Sequence, residues 1–136
     1  MSILFAKSLL KNDISFALVG KRDIITDTRH GVMPLLARAE ENFFGYLAAD
    51  KIVGEAAAWL YALTKPDAVV TFIITTKAKQ ILNTAGIPCF YDKEVPITLG
   101  KDGMSRCPIE ESVLDVCNPQ CALEKIKEKI KTFSAK

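Results

Sequence analysis

The sequence predicts an α/β domain built on a mixed β-sheet, and three observations carry that prediction. Tyr46–Thr76 reads as strand, helix, strand: Tyr46–Ala49, then the alanine-rich Lys51–Leu63, then Ala68–Ile74. The second of these strands runs through Val, Phe and Ile with no polar alternation past Thr71, as a strand buried on both faces of a parallel sheet requires. Ahead of this unit, the β-rich segments Ile14–Val19 and Asp23–Thr28 flank a Gly20-Lys21-Arg22 turn and read as a hairpin. A hairpin feeding a right-handed crossover leaves one strand antiparallel to the rest.

The 136 residues suit one domain, spanning 1–136, with a single well-buried core. A net charge of +2 is too small to argue for nucleic acid or an anionic membrane as partner. No apolar run approaches the ~20 residues that cross a bilayer. Met1–Leu10 is apolar, but Lys7 interrupts it and no small-residue cleavage site follows, so it reads poorly as a signal peptide. The expectation is a cytoplasmic protein. Its cysteines, Cys89, Cys107, Cys117 and Cys121, are then thiols or ligands rather than disulfides.

The remaining elements follow in order. Ser2–Lys11 spaces Ile3, Leu4, Ala6, Leu9 and Leu10 as a helix does, with Ser2 as its cap. It is a candidate for packing on the sheet or for self-association, which makes a homo-oligomer one expectation. After the hairpin, Pro34 suits the first turn of a helix carrying Leu35, Leu36, Ala39 and Phe43. Lys65-Pro66-Asp67 ends the central helix. Lys77–Ala85 is a further helix closed by Gly86. Ile87–Tyr91 reads as a strand, and Lys93–Leu99 as an edge or extended connection, given Pro88 and Pro96. Gly100-Lys101-Asp102-Gly103 is a turn. Cys107-Pro108 opens a helix to about Val116, and Asn118-Pro119 opens the last, to about Thr132, with Leu123, Ile126, Ile130 and Phe133 on one face.

Three local sequences carry a family resemblance: His30-Gly31-Val32-Met33-Pro34-Leu35, Ala49 to Ala57 (ADKIVGEAA), and Asp102 to Glu110 (DGMSRCPIE). Together with the element order they resemble an uncharacterised family of small bacterial proteins, a domain of unknown function with a cytidine-deaminase-like fold. The resemblance implies a three-layer α/β/α arrangement. It implies no established activity. True zinc deaminases carry H-x-E or C-x-E at one helix start and P-C-x-x-C at the next. Here the first start is read as Ala49-Asp50-Lys51-Ile52 and the second as Ile74-Thr75-Thr76-Lys77-Ala78, so no His or Cys ligand stands at either. A catalytic zinc needs three protein ligands. The expectation is a protein with no zinc deaminase chemistry, no metal and no cofactor.

Asp50 and Lys51, placed at a strand-to-helix junction, are the first candidates for binding or acid–base work. Asp50 equally suits a helix cap. Gly54 one turn in marks a close approach, of a ligand or of packed backbone. Cys107 is the second candidate: Pro108 at the first helical position puts the thiol at a helix N-terminus, where thiolates are favoured, with Arg106 beside it and Glu110 opposing. It could equally be a packing residue. The four cysteines could also be metal ligands, but their spacing matches no standard site. His30, the only histidine, precedes a helix and has no partner visible in the sequence. Trp59 and Tyr61 read as core or interface aromatics.

These readings point to a small-molecule-binding protein, and the resemblance to the deaminase-like fold implies a ligand of nucleotide- or nucleobase-like chemistry. The expected pocket comprises Asp50, Lys51, Gly54, Thr75, Thr76, Cys107 and Glu110. The alternatives are a metal-independent enzyme, with Cys107 as nucleophile and Lys51 or Asp50 carrying the proton, and a self-associating interaction module.

Overall fold

The structure is a computed structural model that describes residues 2–97 and 107–134. The turn expected at Gly100–Gly103 and the side chain of Arg106 lie outside the described residues, as does the side chain of Phe133. The elements run α1 (Ile3–Ser8), β1 (Phe16–Val19), β2 (Ile24–Asp27), α2 (Met33–Ala37), β3 (Leu47–Val53), α3 (Glu55–Thr64), β4 (Ala68–Thr75), α4 (Thr76–Thr84), β5 (Cys89–Val95), α5 (Pro108–Glu111) and α6 (Pro119–Ser134). The five strands form one mixed sheet in the order β2-β1-β3-β4-β5. β1 runs antiparallel to both of its neighbours, while β3, β4 and β5 are parallel. The expected α/β class and mixed sheet are therefore present.

The two faces of the sheet are covered unequally. Phe16 and Leu18 of β1 join Ala48, Val69 and the buried residues of α2 through α6 in the larger core. Ala17 and Val19, pointing the other way, join Leu47, Ala49, Ala68 and Val70 beneath Ala6 and Leu10 in a smaller one. Both crossover helices, α3 and α4, thus share a face with α2, α5 and α6, and α1 covers the other. Ser2 caps α1 through its side chain, which accepts from Phe5 N. Ala6 is buried against the sheet, whereas Leu4 and Phe5 point outwards, 75% and 46% exposed.

α3 explains the alanine content of its sequence. It lies between the sheet and the helices α4 and α6, and Ala56, Ala57, Ala58, Leu60, Tyr61, Ala62 and Thr64 are all buried. A helix buried nearly all round needs small side chains wherever its neighbours come close. It ends where expected, at Lys65, whose φ of 57° is left-handed, just ahead of Pro66.

Several boundaries differ from those the sequence predicts. β3 extends to Val53 rather than stopping at Ala49, because Ile52 and Val53 pair in register with Ile73 and Ile74 of β4. α3 accordingly starts at Glu55, with Gly54 as its cap, not at Lys51. Asp50 therefore caps no helix. β5 continues to Val95 as an edge strand parallel to β4. α5 is a single turn ending at Glu111, not a helix to Val116. No helix among the described residues is long and apolar enough to cross a membrane.

The left-handed Lys65 supplies a test. A non-glycine residue there costs about 1 kcal/mol relative to a relaxed conformation. Among the described residues Lys65 makes no ion pair that would be lost. Lys65→Gly is expected to raise the urea midpoint by an amount equivalent to about 1 kcal/mol. A lowered midpoint would contradict the helix ending described here.

Candidate functional site

Extending β3 past Ala49 changes what Asp50 and Lys51 can do. Adjacent residues on a strand point to opposite faces. Asp50 turns towards the larger core, where its carboxylate oxygen Oδ2 accepts from the hydroxyl of Tyr61 at 2.8 Å. The Lys51 ammonium instead donates to the carbonyl of Asn12 at 3.0 Å. The two side chains therefore do not form the acid–base pair that a helix-start reading suggested.

Asp50 is only 6% exposed. Burial penalises its charged form and pushes its carboxyl up to about 7, against the opposing effect of hydrogen bonds from Tyr61 and the Ile52 and Lys51 backbone. The same burial, with the Asp50 charge alongside, drives the Tyr61 hydroxyl well above its ordinary range. Near neutral pH the pair is therefore a neutral phenol donating to a carboxyl held well above the ordinary aspartate range.

Asp50 borders a cleft of about 260 Å³ whose other walls come from three places in the chain. His30, Gly31 and Val32 come from the turn into α2, where Gly31 takes a φ of 63°. Gly54 and Ala57 come from the start of α3, and Cys107 and Glu110 from α5. Lys51 and Ile52 complete the rim.

Glu110 ties two of these walls together. Its Oε2 accepts from the backbone N–H of Ala56 at 2.9 Å, within the first turn of α3. A helix N-terminus favours a carboxylate through its free N–H groups and its dipole. Glu110 stands in the first turn of α5, and its carboxylate reaches the start of α3. Gly54 makes this geometry possible, since a methyl group on its Cα would overlap the Glu110 carboxylate. The close approach inferred at Gly54 is thus made by a side chain of the same protein.

Five of the expected site residues, Asp50, Lys51, Gly54, Cys107 and Glu110, border this one cleft, and His30 stands with them. Thr75 and Thr76 do not. The Thr75 hydroxyl caps α4 by accepting from Ala78 N at 3.2 Å, and the Thr76 hydroxyl donates to Glu94 at 2.8 Å. Cys107 sits at the cap of α5, as its Pro108 implied, and is partly buried. A one-turn helix aligns few peptide dipoles, so it supports a thiolate less than a full helix would.

All four cysteines are free thiols. Among the described residues no group of three or more His, Cys, Asp or Glu is placed to hold a metal ion. Two residues escaped the sequence reading. The sequence marks Tyr61 only as a core or interface aromatic and does not single out Glu55, which is buried in the first turn of α3. Both become visible once the helix start is moved to Gly54.

The sequence family described as TM1506, Domain of unknown function (DUF1893), matches residues 4–130. Among solved structures, the chain is similar to the crystal structure of a DUF1893 family protein (TM1506) from Thermotoga maritima. The two are 33% identical with a TM-score of 0.78, over 89% of this chain and 82% of that one. No curated protein matches the sequence.

Asp50 makes folding pH-dependent with a definite sign. Its folded pKa lies above its unfolded value, so its contribution is fully present below the unfolded pKa, near 4, and is lost as pH rises through about 7. Between pH 5 and pH 8.5 the loss amounts to about 3 kcal/mol. Urea unfolding at those two pH values is expected to show this difference in the native protein. In Asp50→Asn the difference should shrink by most of that amount. An unchanged pH dependence would remove Asp50 as its source.

Proposed function

We propose that this chain, which belongs to the DUF1893 family, binds a small heterocycle of nucleobase-like chemistry in the Asp50 cleft. The observation that carries this reading is a buried carboxyl poised near neutrality at the wall of a cleft. Such a group can donate through its O–H or accept through its oxygen. An amide edge of a base, with N–H and C=O side by side, asks a partner for that combination. Glu110 adds an acceptor and His30 a ring that can take either role. At about 260 Å³ the cleft falls just below the ~300 Å³ at which drug-sized pockets begin. A free base is therefore favoured, and a nucleotide would leave its sugar and phosphate outside.

The cytidine-deaminase-like arrangement belongs to this proposal, and it supplies the ligand class by analogy of fold. Catalytic zinc does not fit the residues present. With α3 starting at Glu55, the ligand position of an H-x-E signature falls on Val53, which is fully buried and apolar. The start of α4 offers Thr75, already engaged in capping, and no thiol. The reading is therefore of binding in a deaminase-like framework, with no zinc-dependent step.

A second reading rests on Cys107, whose thiol borders the same cleft. It makes the protein a metal-independent enzyme that forms a covalent intermediate at that sulfur. Cys107→Ser separates the two readings: it spares binding under the first and abolishes turnover under the second.

The test is calorimetric titration with uracil, cytosine and hypoxanthine at pH 6 and pH 8.5. At least one base is expected to bind saturably at pH 6. Affinity should fall by about 30-fold at pH 8.5 as Asp50 ionises. Asp50→Asn, which keeps a donor and an acceptor, is expected to bind with little pH dependence. Failure of every base to saturate by ~10 mM, or an affinity indifferent to pH in the native protein, would refute the reading.

A further inference from the structure

We propose that two copies of this chain pair edge to edge through β2, antiparallel about a two-fold axis at Thr26, and so join their sheets into one. β2 and β5 end the sheet, so each presents a row of main-chain N–H and C=O groups that no other described strand meets. Such a row is matched by another extended segment. The two edges are built differently. β5 carries Tyr91, Asp92, Lys93 and Glu94, all exposed, and charged side chains along an edge oppose pairing. β2 runs Ile24-Ile25-Thr26-Asp27, β-branched and uncharged over its first three residues. Ile25 packs on the larger core, so Ile24 and Thr26 point to the other face, where Ile24 is 49% exposed. The helix that the sequence offers for self-association, α1, is engaged on that face with β1, β3 and β4 of its own chain.

Charge complementarity selects a second copy as the occupant, and it selects the register. Side chains opposite one another in a sheet share a face, so alternation lets the axis pass only through a residue of β2. An axis at Ile24 draws the Gly20-Lys21-Arg22 turn into the pairing. At Ile25 it opposes Asp23 to Asp27 of the partner subunit, and at Asp27 it opposes that carboxylate to its own copy. At Thr26 no like charges of the strand meet. Threonine then faces threonine, a favourable cross-strand pair, and Ile24 lies beside Thr28 of the partner subunit. Asp23, just before β2, comes beside Arg29 of the partner subunit, just after it. Asp23 accepts from the Tyr46 hydroxyl through Oδ1, and Arg29 donates to Asp27 through Nε and Nη2. Oδ2 of the one and Nη1 of the other remain for this contact, which the two-fold axis makes twice. The interface closes on itself, so it ends at a dimer.

No residue of β2 borders the Asp50 cleft, so this proposal and the ligand reading stand or fall separately. Sedimentation velocity of the native chain at about 100 µM is expected to show a dimer. Thr26→Lys and Thr26→Glu each set like charges face to face on the axis. Each is expected to weaken dimerisation by about tenfold or more. An equimolar mixture of the two variants sets lysine against glutamate and is expected to recover the dimer, which requires both chains to be folded. A native chain that stays monomeric would overturn the proposal. So would dimers that persist in both single variants, or a mixture that stays monomeric.

Discussion

The hydrogen bond from Tyr61 to Asp50 joins the central strand to the central helix, and the site depends on it. A carboxylate taken out of water without a cation beside it is costly, and proteins commonly respond by raising the pKa until the group is neutral. Here the Lys51 ammonium, next in sequence, is turned to the other face by the alternation of β3 and is occupied by Asn12. What faces Asp50 is a phenol, which stabilises the anion less than a charge would. The carboxyl is left balanced between its two forms near pH 7. A group so placed is held at some expense of stability, and such groups concentrate at functional sites.

A second constraint holds the opposite wall of the cleft. Glu110 reaches from the one-turn α5 to the N–H of Ala56. It can do so only because Gly54, between β3 and α3, has no side chain. The carboxylate occupies the anion-favouring position at the start of α3, so it fixes α5 against the helix that carries Tyr61. The unequal layering supports this arrangement. With α2 through α6 on one face, strand end, helix start and the α5 turn all meet on that face, while α1 alone covers the other.

The fold was largely legible because its signals are local and strong. Ser2 as a cap, the hairpin around Gly20-Lys21-Arg22, the stop at Lys65-Pro66 and the glycine closing α4 each act within a few residues of themselves. The end of β3 was not legible. Asp and Lys are poor strand formers, so Asp50-Lys51 reads as a helix start. Parallel pairing of Ile52 and Val53 with β4 overrides that preference, and no window of sequence reveals a partner twenty-one residues away. That one displaced boundary underlies the other differences at the site: Lys51 pairs with Asn12 rather than with Asp50, Asp50 caps no helix, and Tyr61 and Glu55 do not stand out in the sequence. Thr75 and Thr76 lie apart from that cleft for a related reason, since hydroxyls at a strand end serve a helix cap as well as a ligand. Asp50, Gly54, Cys107 and Glu110, which border one cleft, stand out in the sequence despite this, because an acid, a glycine and a capping thiol in an apolar context are conspicuous whatever the boundary.

Burial against Tyr61 poises Asp50 near neutrality. Carbon-13 NMR of the Asp50 side-chain carboxyl, followed from pH 4 to pH 9, tests it most directly. A titration midpoint near 7 is expected. A midpoint near 4, the ordinary aspartate value, would mean that the carboxyl is solvated or charge-paired, and would remove the basis for the cleft as a ligand site.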